Sequence, residues 1–386
     1  MMEASHSNSL LNFSMSAVTL SESLPKHSGP QSPAHAIAPA HALRGTPPSW
    51  YTPVLKELLT GNDLGDERFE EIFAWLLDSN HEPGDAMALL VGLAMRGERA
   101  DDFVRGARHL RKKMLPWDLG PDLVDTCGTG GDGAGTFNIS TTVGLVLAAC
   151  GLKIVKHGNR AQSGTSGSTD LLGFWQIGFP DDQAMAAKML ADCGIVFCQA
   201  PKHHPALGAL APVRKRLGIR TLFNGLGPLC NPASPTSQII GIGFSEWLEP
   251  YSQAVAALGA KRALVMHGSD GLDEISLGAP TEVRLIRDGK CESLTWTHRD
   301  FGLPAHDRSV FRVSSVRESA EMAQAAISGD DNAPRHILLA NCAAGLWLTG
   351  RCRELKEGVA RAAAAIDAGK PRAILERLRI LCPHKA

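Results

Sequence analysis

The residues best suited to chemistry begin at Asp125-Thr126-Cys127-Gly128-Thr129-Gly130-Gly131-Asp132-Gly133, which puts four glycines ahead of a polar run, Thr136-Phe137-Asn138-Ile139-Ser140-Thr141-Thr142. Bare glycine backbone and the first turn of a following helix present N–H groups that cradle phosphate oxygens. A single helix cap accounts for Ser140 or Thr141 alone, and the surplus of hydroxyls suits a bound oxyanion. Gly128, Gly130 and Gly133 also satisfy Gly-x-Gly-x-x-Gly. The dinucleotide reading fails because no acid stands about 20 residues on, where Lys153, Lys156 and His157 occur instead. A Walker loop fails because Ala134, not Lys, follows Gly133.

A second segment, Lys156-His157-Gly158-Asn159-Arg160, packs cations, an amide and a glycine into the end of an expected strand. Strand ends on one edge of a parallel sheet converge, so it should face the same crevice as the glycine loop. Gln162 to Thr169, rich in glycine and hydroxyls and including Ser168, leads into a helix near Asp170 and offers another anion-binding terminus. A third segment, Asp270-Gly271-Leu272-Asp273-Glu274, brings carboxylates to a further strand end. Paired acids facing a phosphate repel it unless a cation lies between them. Magnesium is the natural bridge, with Asp273 and Glu274 as ligands and Asp270 as an ordinary exposed turn.

These loops need a scaffold. Leu123-Val124-Asp125 reads as a strand, Ser140 to Cys150 as a helix and Lys153 to Lys156 as the next strand, one βαβ unit. The alternation continues through a helix at Ala184–Cys193, a strand at Ile195–Cys198, a helix at Tyr251–Leu258 and a strand at Ala263–Met266. Ile337 to Leu381 is again helical, with stops at Gly350 and Gly369. Upstream, Phe69, Ile72, Phe73 and Leu76, and then Met87, Leu90, Val91 and Ala94, follow the helical period, with turns expected at Gly61-Asn62, Pro83-Gly84 and Gly97. The fold class is α/β: a small helical domain over 48–118, completed by about 203–220, and a larger domain over 119–386 with a central, mostly parallel sheet. Residues 1–47, rich in Ser, Pro, His and Ala, read as a disordered tail without a transit or secretory signal, and Met15 is an alternative start.

Composition narrows the function. With 44% apolar and 20% charged residues and no apolar run near the roughly 20 residues a membrane helix needs, no membrane role is expected. A net charge of −1 supplies no field for nucleic acid, so an anionic substrate must be met by local groups. Nine cysteines, none in a Cys-x-x-Cys pair, suit reduced thiols in the cytoplasm.

The ordered set of motifs resembles the anthranilate phosphoribosyltransferases. It comprises Gly128–Gly133 with Asn138–Thr141, Lys156–Arg160, Ala211-Pro212-Val213-Arg214 with Leu217-Gly218-Ile219-Arg220-Thr221, Asn224 with Leu226-Gly227-Pro228-Leu229 and Asn231-Pro232, and His267-Gly268 with Asp270–Glu274. The resemblance runs from about Pro53 to Leu381. It implies a nucleoside-phosphorylase-like fold, a homodimer formed through the helical subdomains, and two substrates, anthranilate and phosphoribosyl diphosphate (PRPP). By the same resemblance the diphosphate lies against the glycine loop with Gly128, Gly130, Gly131 and Asp132, and against Asn138, Ser140, Thr141 and Lys156, while Thr136, Gly158 and Ser168 are further substrate-binding residues. Ser140 with Glu274, and Asp273 with Glu274, hold magnesium. His157, Asn159, His204, Gly227 and Pro228 guide anthranilate, and Arg214 faces its carboxylate with a planar fork that matches two oxygens. Lys156, Asn159 and Arg214 are the expected catalytic set. Three departures stand out: Gly225, where a larger apolar residue is common, Thr165, and the segment Gly173-Phe174-Trp175-Gln176-Ile177. A pyrimidine nucleoside phosphorylase shares the Lys-His-Gly segment, but Asn159, Arg214 and the Asp273-Glu274 pair disfavour it. A non-enzymatic nucleic-acid-binding relative is disfavoured by the net charge.

Overall fold

A computed structural model describes residues 46–159 and 166–384. The tail expected over 1–47 lies almost wholly outside the described residues, as do Arg160, Gln162 and Thr165. The first four helices are α1 (Tyr51–Leu59), α2 (Gly65–Leu76), α3 (Pro83–Arg96) and α4 (Ala100–Lys113). They are followed by β1 (Leu123–Gly128), α5 (Ile139–Ala149), β2 (Lys153–Gly158), α6 (Ser168–Phe174), α7 (Gln183–Cys193) and β3 (Ile195–Gln199). Then come α8 (Ala200–His203), α9 (Ala211–Leu217), α10 (Leu222–Leu229), β4 (Ser237–Gly241), α11 (Leu248–Ala257) and β5 (Arg262–Gly268). The hairpin β6 (Thr281–Arg287) and β7 (Lys290–Trp296) precedes α12 (Val316–Ala326), α13 (Ala333–Leu348), α14 (Leu355–Asp367) and α15 (Lys370–Leu381).

The strands form one sheet in the order β3-β2-β1-β4-β5-β6-β7, parallel from β3 to β5 and antiparallel from β5 to β7. The chain winds outward from β1 to β2 and β3, then returns to place β4 on the other side of β1. The order therefore reverses between β1 and β4, and the carboxyl ends of those strands open a crevice where open α/β sheets bind ligands. Alternation along each strand feeds two cores. Leu264 and Met266 of β5 pack under α5 and α13, while Ala263 and Val265 point to the other face with Trp247 and Tyr251. Helix α5 is buried nearly all round beneath α13, α14 and α15, so the polar start of that helix is held rigidly at the crevice.

The four amino-terminal helices share the second core with Leu210, Val213, Phe223 and Leu226 of the α9–α10 region. The α2 stripe is buried as expected, but in α3 the buried stripe is Ala86, Leu89, Leu90 and Leu93, leaving Met87, Val91 and Ala94 half-covered. This helix is apolar on most sides, so two stripes fit its period. Packing selects the one beside Gly92, whose added Cβ would lie 3.0 Å from Leu58 Cδ1 of α1. Pro83 and Gly84 open α3 rather than forming a turn, because proline at the first helical positions forfeits an N–H that has no partner there. Among the described residues no helix is long and apolar enough to cross a membrane.

Candidate active site

Strand β1 delivers the glycine loop to the crevice and β4 supports it from behind. Gly128 pairs with Gly241, the Thr129 N–H donates to the Gly241 carbonyl at 2.9 Å, and the Gly243 N–H donates to Thr129 Oγ1 at 3.1 Å. Side chains are excluded here for steric reasons: a Cβ on Gly128 would overlap the Asp273 carboxylate, one on Gly241 the Asp273 backbone, and one on Gly243 would lie 2.7 Å from the Gly130 carbonyl. Gly130 and Gly131 adopt φ of 65° and 77°, which only glycine enters without strain. On its outer side the loop is pinned by Arg312, whose Nε donates to the Ala134 carbonyl at 3.0 Å, and by a bridge between Thr136 and Arg312.

Lys156 reaches from β2 into the same space. Its ammonium is buried and donates to the Thr126 carbonyl and, at 3.1 Å, to Ser140 Oγ, joining β2 to the first turn of α5. Burial pulls its pKa down, and the fully buried Asp125 is the main opposing charge. Asn231 Nδ2 holds Asp125 Oδ2 at 2.8 Å. Asn138, before α5, is locked by Ser166 and Ser319, whose hydroxyls donate to its Oδ1 at 2.6 and 2.7 Å. Thr141 is 1% exposed, turned into the helix packing.

Asp132, Asp273 and Glu274 converge, with one oxygen from each within 4.8 Å of the others. Asp273 Oδ2 already accepts the Gly130 N–H at 3.2 Å, so glycine loop and carboxylates are one structure. Burial and the neighbouring Asp273 charge push the Glu274 carboxyl well above the usual range, and burial with the same neighbour raises Asp132 to about 7. Carboxylates this close, one buried and two half-buried, resist ionising together, and Glu274 Oε2 has no hydrogen-bond partner among the described residues. The donor set, all hard oxygen, fits a divalent cation such as magnesium. Ser140, Asp273 and Glu274 also line one small cavity together. Asp270, by contrast, serves its own turn, accepting the Ser276 hydroxyl at 2.7 Å.

A second cluster of polar groups lies toward α10. His157 Nδ1 contacts the Gly227 carbonyl at 3.2 Å, and its ring centre is 5.2 Å from that of His204, whose Nε2 contacts the Cys230 carbonyl at 2.9 Å. His157 Nε2 and His204 Nδ1 are buried without partners among the described residues. Burial, with His204 adding to it, drives the His157 pKa down to about 3, so the imidazole is neutral. The Arg214 guanidinium lies 5.9 Å from the Phe223 ring centre, one helical turn before Gly227, and burial lowers its pKa. Pro228 follows on α10. Gly158, Asn159 and Ser168 close the β2 end: Ser168 Oγ donates to the Asn159 carbonyl at 3.1 Å, against a Gly158 that has no room for a Cβ.

Comparison with known proteins settles the family. Residues 120–372 match the model described as "Glycosyl transferase family, a/b domain". The anthranilate phosphoribosyltransferase of Azospirillum brasilense is 39% identical over 325 residues, covering 84% of this chain and 91% of that protein. The chain belongs to the anthranilate phosphoribosyltransferase family. The crystal structure of the anthranilate phosphoribosyltransferase from Thermus thermophilus superposes with a TM-score of 0.76 at 36% identity, covering 85% of this chain and 98% of that one. The Saccharomyces cerevisiae anthranilate phosphoribosyltransferase, solved in complex with PRPP and Mg, gives 0.77 at 27% identity, covering 87% and 98%.

Two departures from the anthranilate phosphoribosyltransferase pattern now have physical causes. At Gly225 a Cβ would lie 2.5 Å from Phe103 Cε1 and 3.0 Å from Trp247 Cζ3, so these rings leave no room for a side chain there. Gly173–Ile177 is the socket for the carboxyl end: Ile177 bridges Pro383, the His384 N–H donates to the Gln176 carbonyl at 3.1 Å, and Arg379 Nε donates to the Trp175 carbonyl at 2.8 Å. Sequence reasoning placed Asp132 with the substrate ligands and did not single out Gly241–Phe244. The available signal for Asp132 was an acid inside a phosphate loop, which itself calls for a cation.

Proposed function

We propose that this site transfers the phosphoribosyl group of PRPP to the amine of anthranilate, giving N-phosphoribosylanthranilate and diphosphate in tryptophan synthesis. One observation carries the reading: the Gly130 N–H, Asp273, Glu274, Ser140 and Lys156 meet at the β1/β4 crevice, and His157, next to Lys156 on β2, joins His204 and the Gly227 carbonyl. The relatives' names and the yeast enzyme's complex with PRPP and Mg support it.

In this assignment Gly128, Gly130, Gly131, Asn138 and Ser140 form the diphosphate cradle, Thr141 contributes through its backbone N–H in the first turn of α5 rather than its buried hydroxyl, and Thr136, Gly158 and Ser168 lie at its edges. Lys156 places a fixed positive charge where the leaving diphosphate gains negative charge, and burial strengthens that interaction relative to water. Ser140, Asp273 and Glu274, joined by Asp132, would hold magnesium, which when bound neutralises diphosphate charge. Anthranilate sits between His157, His204, Asn159, Gly227 and Pro228, its carboxylate toward Arg214. An aniline nitrogen is already a neutral nucleophile, so the protein's main task is to align it with the anomeric carbon. A neutral His157 orients the ring and is not a source of positive charge. The helical segment 48–118 with 203–220 and the α/β part 119–386 would act as two domains of a cytoplasmic homodimer. Nine free cysteines suit that compartment, and light scattering tests the dimer.

The direct experiment mixes purified protein, anthranilate, PRPP and magnesium and follows anthranilate fluorescence. Loss of signal that requires all three additions is expected. Phosphorolysis of uridine or thymidine in its place would overturn the assignment.

A further inference from the structure

The segment Leu217–Thr221 belongs to the motif set, yet the reaction uses only its neighbour Arg214. Its Arg220 guanidinium stacks 4.0 Å from the ring centre of Phe244 and 4.8 Å from that of Trp247. Phe244 comes from the turn after β4; its ring lies edge-on to Trp247 at 5.7 Å and also reaches the glycine loop, where a Cβ on Gly131 would lie 3.2 Å from Phe244 Cζ and 3.3 Å from Cε2. Trp247 is anchored in turn, its Nε1 donating to Glu98 Oε2 at 3.0 Å and its ring edge-on to Phe103 at 5.1 Å. A chain of contacts thus runs from the α3–α4 junction through Trp247, Arg220 and Phe244 to Gly131.

We propose that Phe244 is a positioning residue for PRPP: its ring backs the Gly130–Gly131 turn of the diphosphate cradle, and Arg220 holds the ring in place. The loop itself needs such a support. Gly130, Gly131 and Gly133 all sit at positive φ and carry no side chain that could pack to hold them there. The hydrogen bonds at Thr129 and Gly130 fix its first half, and Ala134 and Gly135 are fixed by Arg312 and Val313. Gly131 lies between these anchors, with Gly243 backed against its neighbours Gly130 and Asp132 and the Phe244 ring against Gly131 itself. A displaced turn misdirects the N–H groups meant for diphosphate, whereas the expected anthranilate contacts His157, His204 and Gly227 are joined to one another and to Cys230 rather than through this ring.

The inference rests on the PRPP reading above, and the test separates the two. The variants Phe244→Leu, Arg220→Gln and their double are compared with wild type for both Michaelis constants and, by calorimetry, for binding of PRPP with magnesium. If wild type neither binds PRPP nor turns over, the functional reading fails. If it does both, Phe244→Leu should weaken PRPP binding and raise its KM on the order of tenfold, with the anthranilate KM changed less than about threefold. Arg220→Gln should give a smaller change in the same direction, and the double should be no worse than Phe244→Leu, because Arg220 acts through Phe244. Equal shifts in both Michaelis constants, multiplying effects in the double, or a lowered melting temperature with PRPP binding intact would overturn the proposal. Should Phe244→Leu not fold, Arg220→Gln alone decides: a selective rise in PRPP KM upholds the inference and an unchanged one refutes it.

Discussion

Acid stability offers a quantitative test of the pocket around His157. The imidazole is sealed between β2, His204 and the Gly227 carbonyl, and its pKa falls from 6.5 to about 3. Above pH 6.5 the group is neutral in both folded and unfolded chains and contributes no pH dependence. Below it the unfolded chain takes up a proton that the folded chain refuses, so stability falls steadily from pH 6.5 towards pH 3. At pH 5 the gap is about 1.5 pH units, which at about 1.4 kcal/mol per unit is a loss of about 2 kcal/mol from this residue. His157→Gln keeps a donor for Gly227 and removes the titration. Urea unfolding followed by tryptophan fluorescence, at fixed protein concentration and at pH 7 and pH 5, should therefore show a smaller pH difference in the variant by about 2 kcal/mol with an unchanged slope. His203 and His204 also have lowered pKa values, but they remain in both proteins and cancel. Identical pH dependence in the two proteins would mean that His157 titrates normally and that the pocket is open to water.

Three further outcomes are expected. Arg214→Ala should raise the KM for anthranilate far more than that for PRPP, on the order of a hundredfold for loss of a charge-assisted pair, and steady-state kinetics with each substrate varied in turn checks this. Asp273→Asn removes a metal-facing charge and should shift the magnesium titration of activity to higher concentration; an unchanged titration would remove Asp273 from the metal site. Gly128→Ala drives a methyl into the Asp273 carboxylate, so it should impair both magnesium response and PRPP binding while leaving anthranilate binding intact, measurable by calorimetry with each ligand.

Much of the scaffold was legible because its signals are local. β1, α5 and β2 announce themselves through an apolar run, a glycine break and a second apolar run, and Gly350 and Gly369 mark real helix ends at φ of 70°. The α3 stripe was misread because alanine, methionine, leucine and valine surround that helix, so period alone cannot select a face. Contact with Leu58 across Gly92 decides it, and such a contact is invisible along the chain.

The site shows the same division between local and distant information. Lys156, Ser140 and Glu274 were legible as chemistry because each lies in a cluster of functional groups beside a strand end. Their support was not: Asp125 against Lys156, Asn231 against Asp125, and Ser319 against Asn138 each join residues far apart along the chain. Asp132 is the instructive case. Four glycines around it suggest a ligand loop, and an acid there looks like a substrate contact. Only once β4 sits beside β1 does the loop fold onto Asp273 and bring the third carboxylate into place. In the absence of a cation such a cluster sheds charge by protonation, since burial and the Asp273 charge raise the Glu274 and Asp132 pKa values, and Gly128, Gly241 and Gly243 keep the spacing close because a Cβ on any of them would meet backbone or carboxylate across the crevice. The glycines thus do more than expose N–H groups: they bring the strand ends close enough for the glycine loop and three carboxylates to form one cluster, the arrangement the proposed metal and diphosphate would share.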